Sequence, residues 1–403
     1  MKIAGHQVDD AMFDYIAHNF DADTCKLLLK EESNLSFDKS FAILQIECRR
    51  KCRDKIPELL KDPVFLFPKS ISAEQCTHQA IAQFHASHIG PNENVLDMTM
   101  GLGIDDYYIS MRARHVTAIE LDSEIAAVGH YNLSRLRPNI TVTEGDSVDY
   151  IKKLDINEHF DVVFIDPARR DCNGKRLYGL ADCKPNVLEL LPYIKQHTSR
   201  LYIKASPMID VSQSIRELGS SLSQVWAVSV RNECKELFFM LNFDSKPSQI
   251  SLHAINYDRQ WQEFSCHHSP TTQSVTTNTI VPVAGMHLYE PNASLMKLGC
   301  FDALATALDV APIAVNSHLY ISTSLLPSFP GRKFVIVEVM SFNNKCIKQL
   351  SSTHSQLNVS TRNFRLNAEQ LKKRLKVKDG GNDYLFATTL SSGEQVLLLC
   401  KKA

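Results

Sequence analysis

An excess of charge of either sign is what this 403-residue sequence lacks, with 44 Lys and Arg against 45 Asp and Glu and a formal net charge of -1. That balance excludes a uniformly basic nucleic-acid binder, so any contact with a polyanion has to be local. Long apolar runs are missing too: none reaches the length of a membrane span, and the first residues lack the apolar core of a signal peptide. A soluble, cytoplasmic protein is expected. The eleven cysteines are scattered, and only Cys48 and Cys52 stand close, with no second pair in zinc-ligand spacing. Free thiols in a reducing compartment fit this better than a disulfide framework or a metal centre. Neither low-complexity sequence nor a fixed-period repeat is present. With 44% hydrophobic residues, the chain can bury substantial cores, and its length implies more than one domain.

What is present is most specific at 94–106, N-V-L-D-M-T-M-G-L-G-I-D-D. A short apolar strand ends in Asp97, and a turn carrying Thr99, Gly101 and Gly103 leads into a helix. A second strand, V-T-A-I-E, ends in Glu120 and is followed by Leu121 and Asp122. This is the layout of a nucleotide-type site, in which glycines allow close approach of a ligand and the acid ending the second strand hydrogen-bonds a ribose diol. A dinucleotide fingerprint would place a third small residue where Asp106 stands, and Asp105 and Asp106 would oppose a pyrophosphate. S-adenosylmethionine has no phosphate and carries a sulfonium and an ammonium, so Asp97 and Asp105 tolerate or favour it. A βα turn without a ligand is the competing reading.

Residues 1–90 read as a mostly helical region, with Phe41, Leu44, Cys48 and Cys52 at helical spacing and a basic cluster from Arg49 to Lys55 that suits a solvated helix face better than an RNA contact. From about 91 to 245, strands and helices alternate. The strands expected are Val95–Met98, Val116–Leu121, Ile140–Glu144, Val162–Asp166 and Leu201–Lys204, with helices such as Ser123–Leu136 and Asn186–Gln196, the latter opposed by Pro192. Val225–Val230 and Glu236–Phe243 are close enough to form an antiparallel hairpin. The fold class expected is therefore α/β, a Rossmann-like, mostly parallel seven-stranded sheet ending in an antiparallel hairpin, followed by small α+β modules. The stretch 269–279, rich in Ser, Thr and Gln, suits a loop or boundary. Residues 246–326 form a linker and small α+β module of ferredoxin-like type with a helix over Ala293–Leu308, and 327–403 a second α+β module with a helix over Ala368–Lys376.

The fourth strand ends V-F-I-D-P-A-R-R-D. The carboxyl ends of such strands hold the ligand, so Asp166 belongs beside the first turn, with Pro167 restricting the chain after it. Methyl transfer from a sulfonium is an in-line displacement that needs an aligned acceptor, and Asp166 can accept a hydrogen bond from an acceptor N–H or act as a base. A turn-forming Asp-Pro is the alternative.

The first motif, Glu120 and Asp122, Asp146 in E-G-D-S with Ser147 beside it, and D-P at 166–167 occur in the order seen in class I S-adenosylmethionine-dependent methyltransferases, which residues 75–243 resemble. The resemblance implies that Gly101 and Gly103 bind the methionine moiety, Glu120 the ribose, and Asp146 the adenine side, and that Gln75 and Thr77 cover the cofactor. D-P-A-R-R, I-K-A-S-P-M-I-D, E-C-K-E-L, Y-E-P-N-A and R-N-F further resemble bacterial methyltransferases with a C-terminal THUMP-like domain. That implies a base in tRNA or rRNA as substrate. A non-catalytic protein that binds S-adenosylmethionine and RNA, or an enzyme acting on a protein or small molecule, are the alternatives. One departure stands out: enzymes that methylate exocyclic amines carry D/N-P-P and an aromatic residue, whereas Ala168 and Arg169 follow here. A guanidinium at Arg169 or Arg170 can stack on a base or grip phosphate, or it can pair with a nearby acid. Seven basic residues against one acid in Arg362–Lys378 form a candidate phosphate-contacting patch, or a solvated helix with Leu371 and Leu375 facing a core. No metal ligand set is expected.

Overall fold

The computed structural model describes residues 1–32, 35–169, 179–268 and 280–403. They divide into two compact units, one made of 1–225 with 236–248 and the other of 226–235 with 249–403. The expected loop at 269–279 and residues Arg170 and Asp171 lie outside the described residues.

Strands β1 (Asn94–Asp97), β2 (His115–Glu120), β3 (Ile140–Glu144), β4 (Val162–Ile165), β5 (Arg200–Ala205), β6 (Leu222–Val230) and β7 (Glu233–Asn242) form one sheet, of which all but residues 226–235 belong to the first unit. Their spatial order is β6-β7-β5-β4-β1-β2-β3. Five strands run parallel, with Val95 beside Val116 on one side and Val162 on the other, and β7 returns antiparallel to β5. All four residues of β4 are buried, as a central strand covered on both faces requires. β8 (Ser251–Asp258) and β9 (Gln260–His267), an antiparallel pair, belong to the second unit.

Helices α1 (Lys39–Cys52), α2 (Gln79–Ser87), α3 (Ile104–Ile109), α4 (Ser123–Leu136), α5 (Ser147–Lys153), α6 (Val187–His197) and α7 (Val211–Leu218) belong to the first unit. Asp122, Asp146, Asn186 and Asp210 cap the last four through side-chain oxygens that accept backbone N–H groups. Each such cap is worth about 1 kcal/mol. Pro192 lies inside α6 without ending it, because Val187, Leu190 and Ile194 bury one face of that helix. The N-terminal helices are not an appendage. Met12, Ile16, Phe41 and Ile46 share a core with Val128 of α4, and the Asn132 amide binds both the N–H and the carbonyl of Leu66, at 3.0 and 2.8 Å.

Two residues of the basic cluster depart from the solvated face expected, whereas Lys51 and Arg53 are exposed as expected. Arg49 is buried and donates to the carbonyls of Asp62, Pro63 and Phe65, and Arg50 donates to those of Phe20 and Ala22. These guanidiniums satisfy loop carbonyls that apolar neighbours would leave unpaired.

In the second unit, β10 (His287–Pro291), β11 (Tyr320–Ser322), β12 (Gly331–Ser341), β13 (Asn358–Arg362), β14 (Asp383–Thr389) and β15 (Gln395–Lys402) form a sheet ordered β11-β10-β12-β15-β14-β13, with the two-residue strand Ala311–Pro312 beyond β11. Period-two alternation sends Phe386 and Leu398 to one core and Leu385 and Leu397 to another. The second core takes in α10 (Asn344–Thr353) and α11 (Ala368–Leu375), of which Leu371 and Leu375 are fully buried. The single helix expected over 293–308 is two, α8 (Ala293–Leu298) and α9 (Phe301–Leu308), because Gly299 takes a left-handed φ of 72° and ends the first. Among the described residues, no helix is long and apolar enough to cross a membrane.

Candidate active site

The carboxyl ends of β1, β2 and β4 bring together Asp97, Thr99, the turn at Gly101, Glu120 and Asp166. The turn is held from both sides. Gly101 N–H donates to Glu120 Oε2 and Asp122 N–H to Glu120 Oε1, each at 2.9 Å. Glu120 is therefore fixed before any ligand arrives, and lone pairs on the same oxygens remain for a diol. Asp97 Oδ1 accepts the Thr99 N–H at 2.7 Å, and the Thr99 hydroxyl in turn accepts the Asp166 N–H at 2.6 Å, which ties the first turn to the end of β4.

The two glycines of the turn have different reasons to be glycine. Both take positive φ, 57° at Gly101 and 74° at Gly103. A Cβ on Gly101 would meet nothing within 4 Å, so that side of the turn is open, as a ligand surface must be. A Cβ on Gly103 would stand 2.6 Å from Leu133 Cδ1, so this glycine serves the packing of α3 on α4 rather than ligand approach. Leu121 is 71% exposed beside Glu120 and offers an apolar surface. Asp122 caps α4 and pairs with Lys69 at 2.6 Å, Asp146 caps α5, and Ser147 is buried in the first turn of α5. Their side chains are thus already engaged in the local fold.

The acidic pair at the start of α3 is buried. Asp105 is buried and accepts from the Thr77 hydroxyl at 2.5 Å, pairs with His85 Nδ1 at 2.7 Å, and lies 3.4 Å from Lys204 Nζ. Lys204 Nζ also reaches the Thr77 hydroxyl and Asp166 Oδ2, each at 2.7 Å, while His85 Nε2 meets Glu236 Oε1 at 2.5 Å. A continuous polar chain therefore runs from Asp166, whose side chain is 41% exposed, through Lys204, Asp105 and His85 to Glu236. Burial pulls the Lys204 ammonium down, but Asp105, Asp166 and Glu236 outweigh it and hold the pKa well above that of an ordinary lysine. His85 obeys the same logic: burial disfavours its charge, yet Glu236 and Asp105 push it up to about 9, so it is an imidazolium at neutral pH. Burial would raise Asp105, but Lys204 and His85 hold it well below the usual carboxylate range.

Asp106 is fully buried, and neither of its carboxyl oxygens has a hydrogen-bond donor among the described residues. Its side chain meets the carboxyl of Asp97, itself buried. Two ionised carboxylates in such contact repel strongly, so the pair holds a proton between them. Burial first, then the neighbouring carboxylates, pushes Asp97 up to about 7 and Asp106 well above its ordinary value. Even with that shared proton, the carboxyls of Asp97, Asp105, Asp106, Asp166 and Glu236 outnumber the charges of Lys204 and His85. The site is electrostatically suited to a cation.

Pro167 is buried behind Asp166, and the backbone of Ala168 and Arg169 pairs with Lys184 and Cys183. Gln75 is exposed, whereas Thr77 is drawn into the buried chain. Of the members of this chain, His85 and Glu236 carry the weakest signal in the sequence, no more than a polar residue inside apolar surroundings, such as Glu236 in E-L-F-F-M.

The basic run at the C-terminus breaks up into individual roles. Arg362 and Arg332 both grip the buried Glu290, Arg362 at 2.9 Å, while Arg365 and Arg374 lie over the Phe342 ring, and Lys372 pairs with Glu369 and Asp379. Lys373, Arg374, Lys376 and Lys378 are exposed.

Comparison with known proteins bears on both units. Residues 331–402 match a THUMP domain-like family and residues 287–330 a ferredoxin-like domain. A crystal structure from Porphyromonas gingivalis W83, of a protein designated a methyltransferase, is 29% identical and covers 98% of both chains at a TM-score of 0.87. A segment of 84 residues is 36% identical to an uncharacterised RNA methyltransferase of Mycoplasma mobile, and it represents 20% of this chain and 22% of that protein's length.

Proposed function

We propose that this chain, which joins a class I methyltransferase fold to ferredoxin-like and THUMP-like modules, is an S-adenosylmethionine-dependent methyltransferase that modifies a base in tRNA or rRNA. The observation that carries the reading is the preset Glu120 carboxylate, bonded to the N–H groups of Gly101 and Asp122 beside an open turn. A ribose diol fits that acceptor pair, and the carboxylate excess suits a cofactor of net positive charge better than a pyrophosphate. The cofactor supplies an electrophilic methyl group. This chain's part is to hold the ribose at Glu120, offer Leu121 to the adenine with Asp146 and Ser147 nearby, and keep the methionine end over Thr99 and Gly101.

Asp166 is the candidate group that contacts the acceptor; its ion pair with Lys204 keeps it oriented and opposes the burial that raises its carboxyl. Pro167 and Arg169, which follow Asp166 in the chain, are the other candidate substrate residues. Asp105 acts as a positioning residue in this scheme, since its oxygens are engaged with Thr77, His85 and Lys204. RNA contact is assigned to the exposed cations Lys373, Arg374, Lys376 and Lys378 and to the half-exposed pair Arg332 and Arg362, for which the THUMP-like match is the support. The free thiols among the described residues suit a reducing, cytoplasmic setting.

Transfer of labelled methyl groups to fractionated cellular RNA, followed by identification of the modified nucleoside, tests this reading. Label in RNA supports it. Cofactor binding without any transfer points to a non-catalytic RNA-binding protein, and label in a protein or small-molecule fraction replaces the substrate. Within the enzyme, Asp166→Ala should keep cofactor affinity and lose most transfer, whereas Glu120→Ala should weaken cofactor binding first.

A further inference from the structure

The position occupied by Asp106 is where a dinucleotide fingerprint needs a small residue, and the chain fills it with a carboxyl that has no donor. A buried acid without an N–H or hydroxyl partner is costly unless it keeps a proton or has a use for losing one. Here the neighbouring carboxyl, Asp97, stands at the end of β1, where its other contacts are the Thr99 N–H and hydroxyl. The pair is therefore an acid and its conjugate base sharing one proton, one at the end of β1 and the other in the first turn of α3, at the two ends of the turn that receives the cofactor in the proposed function.

We infer that the Asp97–Asp106 pair couples cofactor binding to proton release: it holds one proton in the free protein and yields it to solvent when the methyl donor binds. The step balances simply, a carboxyl-carboxylate pair becoming two carboxylates and one aqueous proton. The driving force is charge. At neutral pH, S-adenosylmethionine carries a sulfonium, an ammonium and one carboxylate, a net single positive charge, whereas its thioether product is neutral. A cation brought over the pair stabilises the doubly ionised form and the product does not. The pair retakes its proton when donor is exchanged for product, so the preference for donor over product grows with pH.

The surrounding groups are tied into ion pairs, although burial also raises the Asp166 carboxyl against the pull of Lys204. Asp105 on α3 is tied to Thr77, His85 and Lys204, and Asp166 beyond β4 is ion-paired with Lys204 of β5. His85 of α2 stays protonated between Asp105 and Glu236 of β7. The raised values of Asp97 and Asp106 agree with a shared proton near neutrality.

The inference rests on the cofactor assignment, and titration calorimetry on the full chain separates the two. Donor, thioether product and an analogue with a primary ammonium in place of the sulfonium are each titrated in buffers of different ionisation enthalpy, between about pH 6 and about pH 8. Donor and ammonium analogue should release up to one proton, with affinity rising by as much as about tenfold per pH unit below the pair's titration point. The product should release little and bind with a flat pH profile. Asp106→Asn, whose amide can donate to Asp97 without carrying a titratable proton, should bind donor with no proton release and a flat profile.

Donor binding without proton release in the natural chain, or release undiminished in Asp106→Asn, overturns the inference. If that variant fails to fold, equal release for donor and product in the natural chain overturns it in the same way. Absence of donor binding at every pH overturns the cofactor assignment and the inference together.

Discussion

Replacing Lys204 with methionine is the sharpest probe of the buried chain. The two side chains are similar in length and volume, so the change removes an ammonium while leaving the packing nearly intact. Lys204 Nζ touches the Thr77 hydroxyl and Asp166 at 2.7 Å and Asp105 at 3.4 Å, and its side chain is 11% exposed. Its loss leaves Asp105 and Asp166 with His85 as the remaining buried cation. Deleting one partner of a buried ion pair costs about 3–5 kcal/mol, because the other charge stays desolvated. For a unit of this size that corresponds to a fall in Tm on the order of 10 °C.

The sign with pH follows from Asp105, whose folded pKa is depressed by Lys204 and His85 against the effect of burial. A depressed acid stabilises the fold above its unfolded value near 3.9 and loses that contribution as pH falls through the folded value. The variant lacks part of this stabilisation at neutral pH, and the difference shrinks as the carboxylates protonate. Calorimetric melting of both proteins at about pH 7.5 and about pH 3 measures it. A deficit under about 2 °C at the higher pH, or one of equal size at both, would show that the ammonium is not the counter-ion of this cluster.

His85 predicts the opposite slope. Its folded pKa of about 9 lies above the ordinary 6.5, so its contribution is complete below about pH 6.5 and disappears as pH rises through 9, a change of about 3 kcal/mol. Urea melts of the natural chain and of His85→Gln across that range should differ in slope, and parallel curves would remove His85 from the account. Gly103→Ala should destabilise by about 1–3 kcal/mol through its positive φ and the contact with Leu133. Combining it with Leu133→Ala should recover part of the steric loss, and strict additivity would show that the contact does not matter. If Arg332 and Arg362 meet RNA phosphate, Arg332→Met should lower the slope of log affinity against log salt by about 0.7 on a single-stranded RNA, whereas an unchanged slope leaves them as the partners of Glu290 alone.

The parallel sheet was legible because its strands combine apolar runs with turn residues. Val95, Val116 and Val162 fall in adjacent register as the βα pattern requires. Glu120 was legible because it ends a strand at the right distance from the turn. The orientation of Asp105 and Asp106 was not, since helical phase decides which way each acid faces and a six-residue helix gives little periodicity to read. Nor was the chain from Asp166 to Glu236, whose members come from α2, α3, β5 and β7 and are adjacent only after the sheet forms. Arg49 misled for a related reason: a basic residue within a charged run looks solvated until the loop carbonyls that surround it are known.

Asn132 sets a limit on how far the first unit can be trimmed or transplanted. Its amide supplies the Leu66 backbone with both a donor and an acceptor, as a neighbouring strand would. A chain begun near residue 91 would strip that partner away, uncover Val128 and lose the Lys69 contact to the cap of α4. Modular reuse of the sheet, by recombination in evolution or by grafting in the laboratory, therefore has to carry the N-terminal helices as inseparable cargo.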